Sequence, residues 1–270
     1  MKPNIPDDIY ARIVERLEEV EREFAVRILF AAESGSRAWG FPSPDSDFDV
    51  RFIYTHPTDW YLSLHEQRDV IECGVDHHDI DLSGWDIRKA LRLLLKSNAA
   101  LYEWTRSPII YREDTSSRQE IQDLFERNAS QLTLAMHYLE YAKSNWRRTR
   151  GDDETIKLKR YFYVMRPLIA LEWVMKNADP PPMQVQDLLA QVPLPDDVRS
   201  AFQELLEVKL KTPELGRGPR VPVLDAWIAE KLETPVGSTI GDNDGHERTQ
   251  TIHAVRSDVE DFFQRAIRFS

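Results

Sequence analysis

Residues 35–51, GSRAWGFPSPDSDFDVR, restrict the possible folds more than any other part of the chain. An apolar run, Val26-Arg27-Ile28-Leu29-Phe30-Ala31-Ala32, leads into Gly35-Ser36, and Asp47 and Asp49 follow, flanking Phe48. Side chains alternate along a strand, so Asp47, Asp49 and Arg51 share one face while Phe48, Val50 and Phe52 point into a core. Two carboxylates about 6–7 Å apart on one strand face repel each other unless a cation lies between them. Hard oxygen donors of this kind suit Mg²⁺, which takes one or two carboxylates and fills its other positions with water and phosphate oxygens. Gly35-Ser36 stands where a strand hands over to a turn or helix start, a place where free backbone N–H groups can hold phosphate. Together these features describe a nucleotide site.

The order of apolar strand, Gly-Ser, roughly a dozen residues and Asp-x-Asp resembles the signature of the DNA polymerase β-like nucleotidyltransferases. The wider wording Glu33-Ser34-Gly35-Ser36-Arg37-Ala38-Trp39-Gly40-Phe41, Ser43-Pro44-Asp45-Ser46-Asp47 and Ser83-Gly84-Trp85-Asp86-Ile87-Arg88-Lys89-Ala90 is similar to the RNA repair pathway DNA polymerase beta family. The resemblance implies an α+β fold, a small mixed-sheet nucleotidyltransferase domain over residues 1–112 followed by a helical domain over 113–270. It implies two Mg²⁺ ions, with Mn²⁺ able to replace them, and a nucleoside triphosphate as co-substrate. Gly35 and Ser36 would hold its phosphates, Asp47 and Asp49 would bind metal, and a third carboxylate would lie on a later strand. That strand is Val75–Leu82, where alternation puts Val75, His77, Asp79 and Asp81 on one face. Asp81 adjoins the family-like wording, and Asp79 is the alternative. The adjacent histidines His77 and His78 would face opposite sides of such a strand. Arg51, on the acid face, would meet phosphate or pair with an acid, and Arg37 is a further phosphate candidate. Trp39, Trp85 and the single cysteine, Cys73, fit ordinary packing roles.

The net charge of −11 argues against a uniformly basic nucleic-acid binder. Basic residues nevertheless gather between Lys143 and Arg166, interleaved with Trp146, Tyr161, Phe162 and Tyr163. Such a segment forms either solvated helix ends or a surface for triphosphate or polynucleotide phosphates. Lys157, Lys159 and Arg160 are its candidate phosphate ligands; Lys157 and Arg160 would share one helical face, Lys159 and Arg166 another.

Periodicity predicts a helix over Pro6–Phe24 and strands at Val26–Ala32, Asp47–Tyr54, Arg68–Glu72 and Val75–Leu82. Ser83–Asp86 reads as a capping box opening a helix with Ile87, Leu91, Leu94 and Leu95 on its buried stripe. A short helix at Leu101–Arg106 and an extended Pro108–Tyr111 follow. Long amphipathic helices are expected at Ser117–Arg148 and Glu154–Asn177, separated by a Gly151-Asp152-Asp153 turn, and Pro180-Pro181-Pro182 stops the second. Shorter helices at Val185–Ala190, Asp196–Lys211 and Val223–Glu233, a loop at Pro235–Glu247 and a last helix at His253–Arg268 complete the reading. One cysteine fits a reducing cytosol, and neither a signal pattern nor a membrane-spanning apolar run is visible, so a cytoplasmic location is expected.

The predicted activity is transfer of a nucleoside monophosphate to a hydroxyl with release of pyrophosphate. The first-choice acceptor is an RNA 3′ end, tRNA-like or broken. Adenylylation of a protein hydroxyl and a catalytically inactive nucleotide-binding regulator are the alternatives.

Overall fold

The computed structural model describes residues 5–148, 154–177, 179–213, 215–240 and 247–268. The chain divides into two compact units: residues 1–38, 47–129 and 244–270 form the first, and 39–46 with 130–243 form the second.

The first unit opens with helix α1 (Asp7–Phe24), whose first turn carries Asp7 and Asp8 beside the positive end of the helix and which buries Ile13, Leu17 and Val20. Strand β1 (Arg27–Glu33) runs into the single-turn helix α2 (Gly35–Ala38). Strand β2 (Phe48–Thr55), the short helix α3 (Thr58–Tyr61), strands β3 (Val70–Val75) and β4 (Ile80–Asp86), helices α4 (Ile87–Leu95) and α5 (Ala99–Thr105), strand β5 (Ile110–Glu113) and helix α6 (Thr115–Asn128) follow. The sheet order is β3-β4-β2-β1-β5. Among the described residues of this sheet, β2 and β4 pair in parallel and the other neighbours pair antiparallel. Ile13, Leu17 and Val20 of α1 share a core with Phe48, Val50, Phe52 and Tyr54 of β2 and with Ile80 and Leu82 of β4. Helix α4 packs on β2 and β4, and α5 and α6 pack on β1.

In the second unit α7 (Gln131–Arg147), strand β6 (Thr155–Lys157), helices α8 (Lys159–Lys176), α9 (Val185–Gln191) and α10 (Asp196–Lys211), strand β7 (Arg217–Pro219) and helices α11 (Pro222–Leu232) and α12 (Val236–Thr239) follow in order. Helix α8 is contacted by α7, α9 and α11, so it is buried on nearly every side instead of being amphipathic. The last helix, α13 (Glu247–Ala266), belongs to the first unit and packs on α4 and α6, burying Val255, Val259 and Phe262. The boundary expected near residue 112 falls inside the first unit, because α6 buries Ile121, Leu124 and Phe125 and packs on β1 and α4. Among the described residues no helix is long and apolar enough to cross a membrane.

Several local expectations need correction. The stretch Val75–Leu82 is no continuous strand: Asp76–Asp79 forms the turn of the β3–β4 hairpin, with Asp79 in the left-handed region at φ 58°. The Asp76 carboxylate accepts from the amides of His78 and Ile80 at 2.8 and 3.1 Å, holding that turn. His77 and His78 therefore do not face opposite sides; their rings lie 4.0 Å apart. Ser83–Asp86 is the end of β4 and not a capping box; Asp86 alone caps α4, accepting from the Arg88 amide at 2.8 Å. The single helix expected over Ser117–Arg148 breaks at Ala129-Ser130, where the Ser130 side chain caps α7 by accepting from the Thr133 amide. Lys157 lies in β6, its register partner Arg217, so it shares no helical face with Arg160. Part of the 235–247 loop is helical, as α12. The Gly151-Asp152-Asp153 turn lies outside the described residues.

Candidate active site

Asp49 and Asp81 owe their positions to the sheet. Burial alternates along β2, with Phe48, Val50 and Phe52 buried and Asp49 and Arg51 half-buried between them. The parallel pairing of β2 with β4 then sets Asp49 directly beside Asp81 and Arg51 beside Ser83. Partners in neighbouring strands stand about 4.8 Å apart and point the same way, so the two carboxylates are forced together. One cation serves both: Arg51 Nη2 donates to Asp49 Oδ1 at 3.0 Å and to Asp81 Oδ2 at 2.8 Å. Of the two roles open to Arg51, acid pairing is the one realised here. Burial, then the charges of Asp81 and Asp47, pushes the Asp49 carboxyl up against the opposing pull of Arg51.

Asp47 lies one residue before β2 and is exposed; its backbone carbonyl accepts from Arg37 Nε at 3.1 Å. The Arg37 guanidinium also covers the Phe48 ring, 4.0 Å from its centroid. Asp79 sits in the hairpin turn, and its contribution to β2 is a backbone carbonyl that accepts from the Phe48 amide at 2.8 Å.

The Gly-Ser turn is built against the acid strand. Ser34 donates its amide to the Asp49 carbonyl at 2.8 Å. Gly35 has φ 59°, and a Cβ placed on it would come within 2.1 Å of Asp49 Oδ2. Glycine is needed here twice, for the left-handed backbone and for the close approach of a carboxylate. Ser36 is buried within α2.

Sequence reasoning gave no role to Glu33, the last residue of β1. It is fully buried, accepts from the Asp49 amide at 2.9 Å and receives the Tyr111 hydroxyl. Burial is the main reason its carboxyl is pushed up to about 7. The available signal was a glutamate ending an otherwise apolar strand.

The fit of this donor set to a divalent ion can be judged from its chemistry. Among the described residues no group of three or more histidine, cysteine or carboxylate side chains is placed to hold a metal ion jointly. Asp49 and Asp81 do converge on a single cation, and all three aspartates are hard oxygen donors. That matches an ion needing one or two protein carboxylates and completing its shell from water and substrate.

The loop between the Gly-Ser turn and the acids belongs to the second unit. There Trp39 accepts the Val185 amide at 2.9 Å, Gly40 accepts Gln186 Nε2 at 2.7 Å, and Ser43 Oγ receives buried Lys209 Nζ at 3.3 Å. Ser43, which reads as loop punctuation, is thus buried and bonded. Lys157 and Lys159 are exposed and Arg160 is half-buried, all in the second unit. Arg166 is buried there, donating to the Met183 carbonyl through Nε and Nη2.

Comparison with known proteins agrees with the motif. A model of the RNA repair pathway DNA polymerase beta family matches residues 9–257. The uncharacterized protein YcgL of Bacillus subtilis (strain 168) is 39% identical over 222 residues, 82% of this chain and 85% of that protein. A nucleotidyltransferase-like protein of known structure, from Exiguobacterium sibiricum 255-15, aligns over 94% of this chain and 91% of its own at 13% identity and a TM-score of 0.33. Polymerase β-like proteins are nucleotidyltransferases that generally use divalent metals and nucleoside triphosphates. With nearly its whole length matched, the chain belongs to the RNA repair pathway DNA polymerase beta family.

Proposed function

We propose that the protein transfers a nucleoside monophosphate from a nucleoside triphosphate to the 3′ hydroxyl of an RNA and releases pyrophosphate. The observation that carries this reading is the in-register pair Asp49 and Asp81 sharing one cation, with the Gly35 turn closed directly over Asp49. Asp47 and Asp49, with Asp81, are the residues that would hold Mg²⁺ or Mn²⁺. When bound, such an ion stabilises charge on the phosphoryl oxygens.

The remaining roles fall to the chain itself. Gly35 and Ser36 offer backbone N–H groups to the β- and γ-phosphates. Arg51 balances the two acids and is the side chain available to turn to phosphate once they are otherwise occupied. Asp81 accepts the proton of the attacking hydroxyl; the oxygen bonds to the α-phosphorus while the bond to the pyrophosphate oxygen breaks. Glu33 fixes the Asp49 backbone through its amide. Lys157, Lys159 and Arg160 supply phosphate contacts along the RNA. A cytoplasmic location, where RNA and triphosphates abound, suits the reading.

The test is to incubate pure protein with Mg²⁺ or Mn²⁺, α-labelled triphosphates and RNA bearing either a free or a blocked 3′ end. Label should enter only the RNA with a free 3′ hydroxyl. Label entering protein instead would overturn the RNA acceptor, and no transfer to any acceptor would overturn the reaction.

A further inference from the structure

The Arg51 guanidinium is held at more points than charge balance requires. Its Nη2 donates to Asp49 Oδ1 at 3.0 Å and to Asp81 Oδ2 at 2.8 Å. Its Nη1 donates to the backbone carbonyls of Asp81 at 2.9 Å and Val50 at 3.1 Å. Acceptors from both β2 and β4 thus fix one planar cation across the seam between the two strands. The side chains of Arg51, Asp49 and Asp81 are 19%, 32% and 28% exposed, so water screens this trio less than it screens a surface pair.

The register explains why a cation is needed. Asp49 and Asp81 are partners on parallel strands, so the sheet cannot form without setting two carboxylates side by side. Leaving their repulsion to a bound divalent ion would make folding depend on that ion. Arg51, two residues from Asp49 on the same strand face, supplies the cation from within the chain. Two carboxylates and one guanidinium carry one net negative charge where the acids alone would carry two. The pull of the pair on a further cation falls accordingly.

Arg51 also has another partner within reach. The Gly35 turn closes on the carboxylate that Arg51 holds: the guanidinium bonds Asp49 Oδ1, and a Cβ on Gly35 would fall 2.1 Å from Asp49 Oδ2. A phosphate held by backbone amides of that turn would lie beside the guanidinium, whose fork suits phosphate oxygens as well as carboxylate ones.

We propose that Arg51 is a resident counter-ion, which holds Asp49 and Asp81 back from a divalent ion until the phosphates of a nucleotide draw the guanidinium away. Ion and nucleotide are then taken up together. This rests on the reading of Asp49 and Asp81 as metal ligands and adds a regulation of that same site. Removing the guanidinium acts in opposite senses on the two ligands, tightening the ion and loosening the phosphates. Damage to the fold would weaken both.

The test is calorimetric titration of the full-length protein with Mn²⁺ alone and, separately, with metal-free inorganic triphosphate. Arg51→Met keeps a long side chain and removes the charge. It should bind Mn²⁺ about 10- to 150-fold more tightly than the parent, the worth of one hydrogen bond between charged groups. It should bind triphosphate about 10-fold or more weakly, having lost one such bond. Arg51→Lys keeps a cation without the fork and should fall between the two for both ligands. Without Mn²⁺, Arg51→Met should melt below the parent, and saturating Mn²⁺ should raise its melting temperature more than it raises the parent's. Asp49→Asn should abolish Mn²⁺ binding. If Arg51→Met binds Mn²⁺ no more tightly while Asp49→Asn still abolishes binding, the counter-ion role is wrong and the metal ligands stand. Tighter Mn²⁺ binding with unchanged triphosphate binding would overturn the hand-over to phosphate. Mn²⁺ binding indifferent to Asp49→Asn would overturn both the inference and the metal reading beneath it.

Discussion

At its start β2 places Asp49 beside Asp81 of β4, with the Arg51 side chain reaching both; at its end it places Tyr54 beside Asp86 of the same neighbour. Both ends thus bring an acid of β4 against a polar residue of β2, and they treat the acid differently. Asp86 is fully buried with its oxygens taken by the Tyr61 hydroxyl and the Arg88 amide. Asp49 and Asp81 stay half-exposed and divide one guanidinium between them. A pair of like charges satisfied by one cation leaves acceptor oxygens open to a second, whereas a capped and buried carboxylate has nothing left to offer. The comparison assigns chemistry to one end and stability to the other.

Exchanging the damage between the two ends is the strongest way to break that assignment. Asp49→Asn should reduce nucleotide transfer by at least about 100-fold, because it removes an oxygen that stabilises phosphoryl charge. Its urea midpoint should hold or rise, since Asp49 ionises against burial and the charge of Asp81. Asp86→Ala should do the reverse. Loss of the α4 cap costs about 0.5–2 kcal/mol, and loss of the hydrogen bond that the Tyr61 hydroxyl donates to Asp86 adds about 1 kcal/mol, while the folded fraction keeps its activity. If Asp86→Ala abolished transfer in folded protein, the two ends would have to be treated as one site.

Gly35→Ala sharpens the acid end alone. The left-handed backbone costs a non-glycine residue about 1–2 kcal/mol, and the new Cβ would meet Asp49 Oδ2 at 2.1 Å. A modest loss of stability should therefore come with a transfer defect of about 10- to 100-fold, since displacements near 1 Å carry losses of that order. A variant as active as the parent would show that the Gly35 contact does not set the position of Asp49.

How legible each end was follows from the same physics. Charges on an apolar strand stand out, so Asp49, Arg51 and their shared face could be read from alternation alone. The partnership of Asp49 with Asp81 could not, because register between strands depends on how the whole sheet assembles. The same alternation misled over Val75–Leu82, where the Asp76 side chain closes a turn on the amides of His78 and Ile80. Glu33 went unassigned because a strand-terminal glutamate reads as surface until its burial is known. The sheet-plus-helices plan was legible from periodicity and motif, but the helix break at Ser130 hinged on a single capping hydroxyl. The far end of β2 reads Phe52-Ile53-Tyr54-Thr55, a run that in sequence is indistinguishable from ordinary core.

The smallest expected effect tests that far end through pH. The His56 pKa falls from its ordinary 6.5 to about 4 because the ring is desolvated. The unfolded chain therefore takes up a proton near pH 6.5 that the folded chain refuses until about pH 4. The unfolded state binds more protons across this window, so the His56 contribution is complete above pH 6.5 and declines as pH falls toward 4. His56→Phe keeps a flat ring against Trp60 and removes the titration. Urea midpoints at pH 7.5 and pH 5 should then differ less in the variant than in the parent, by a shallow margin because the ring is only half-buried. An identical pH dependence in both proteins would mean that His56 is as well solvated in the folded chain as in the unfolded one.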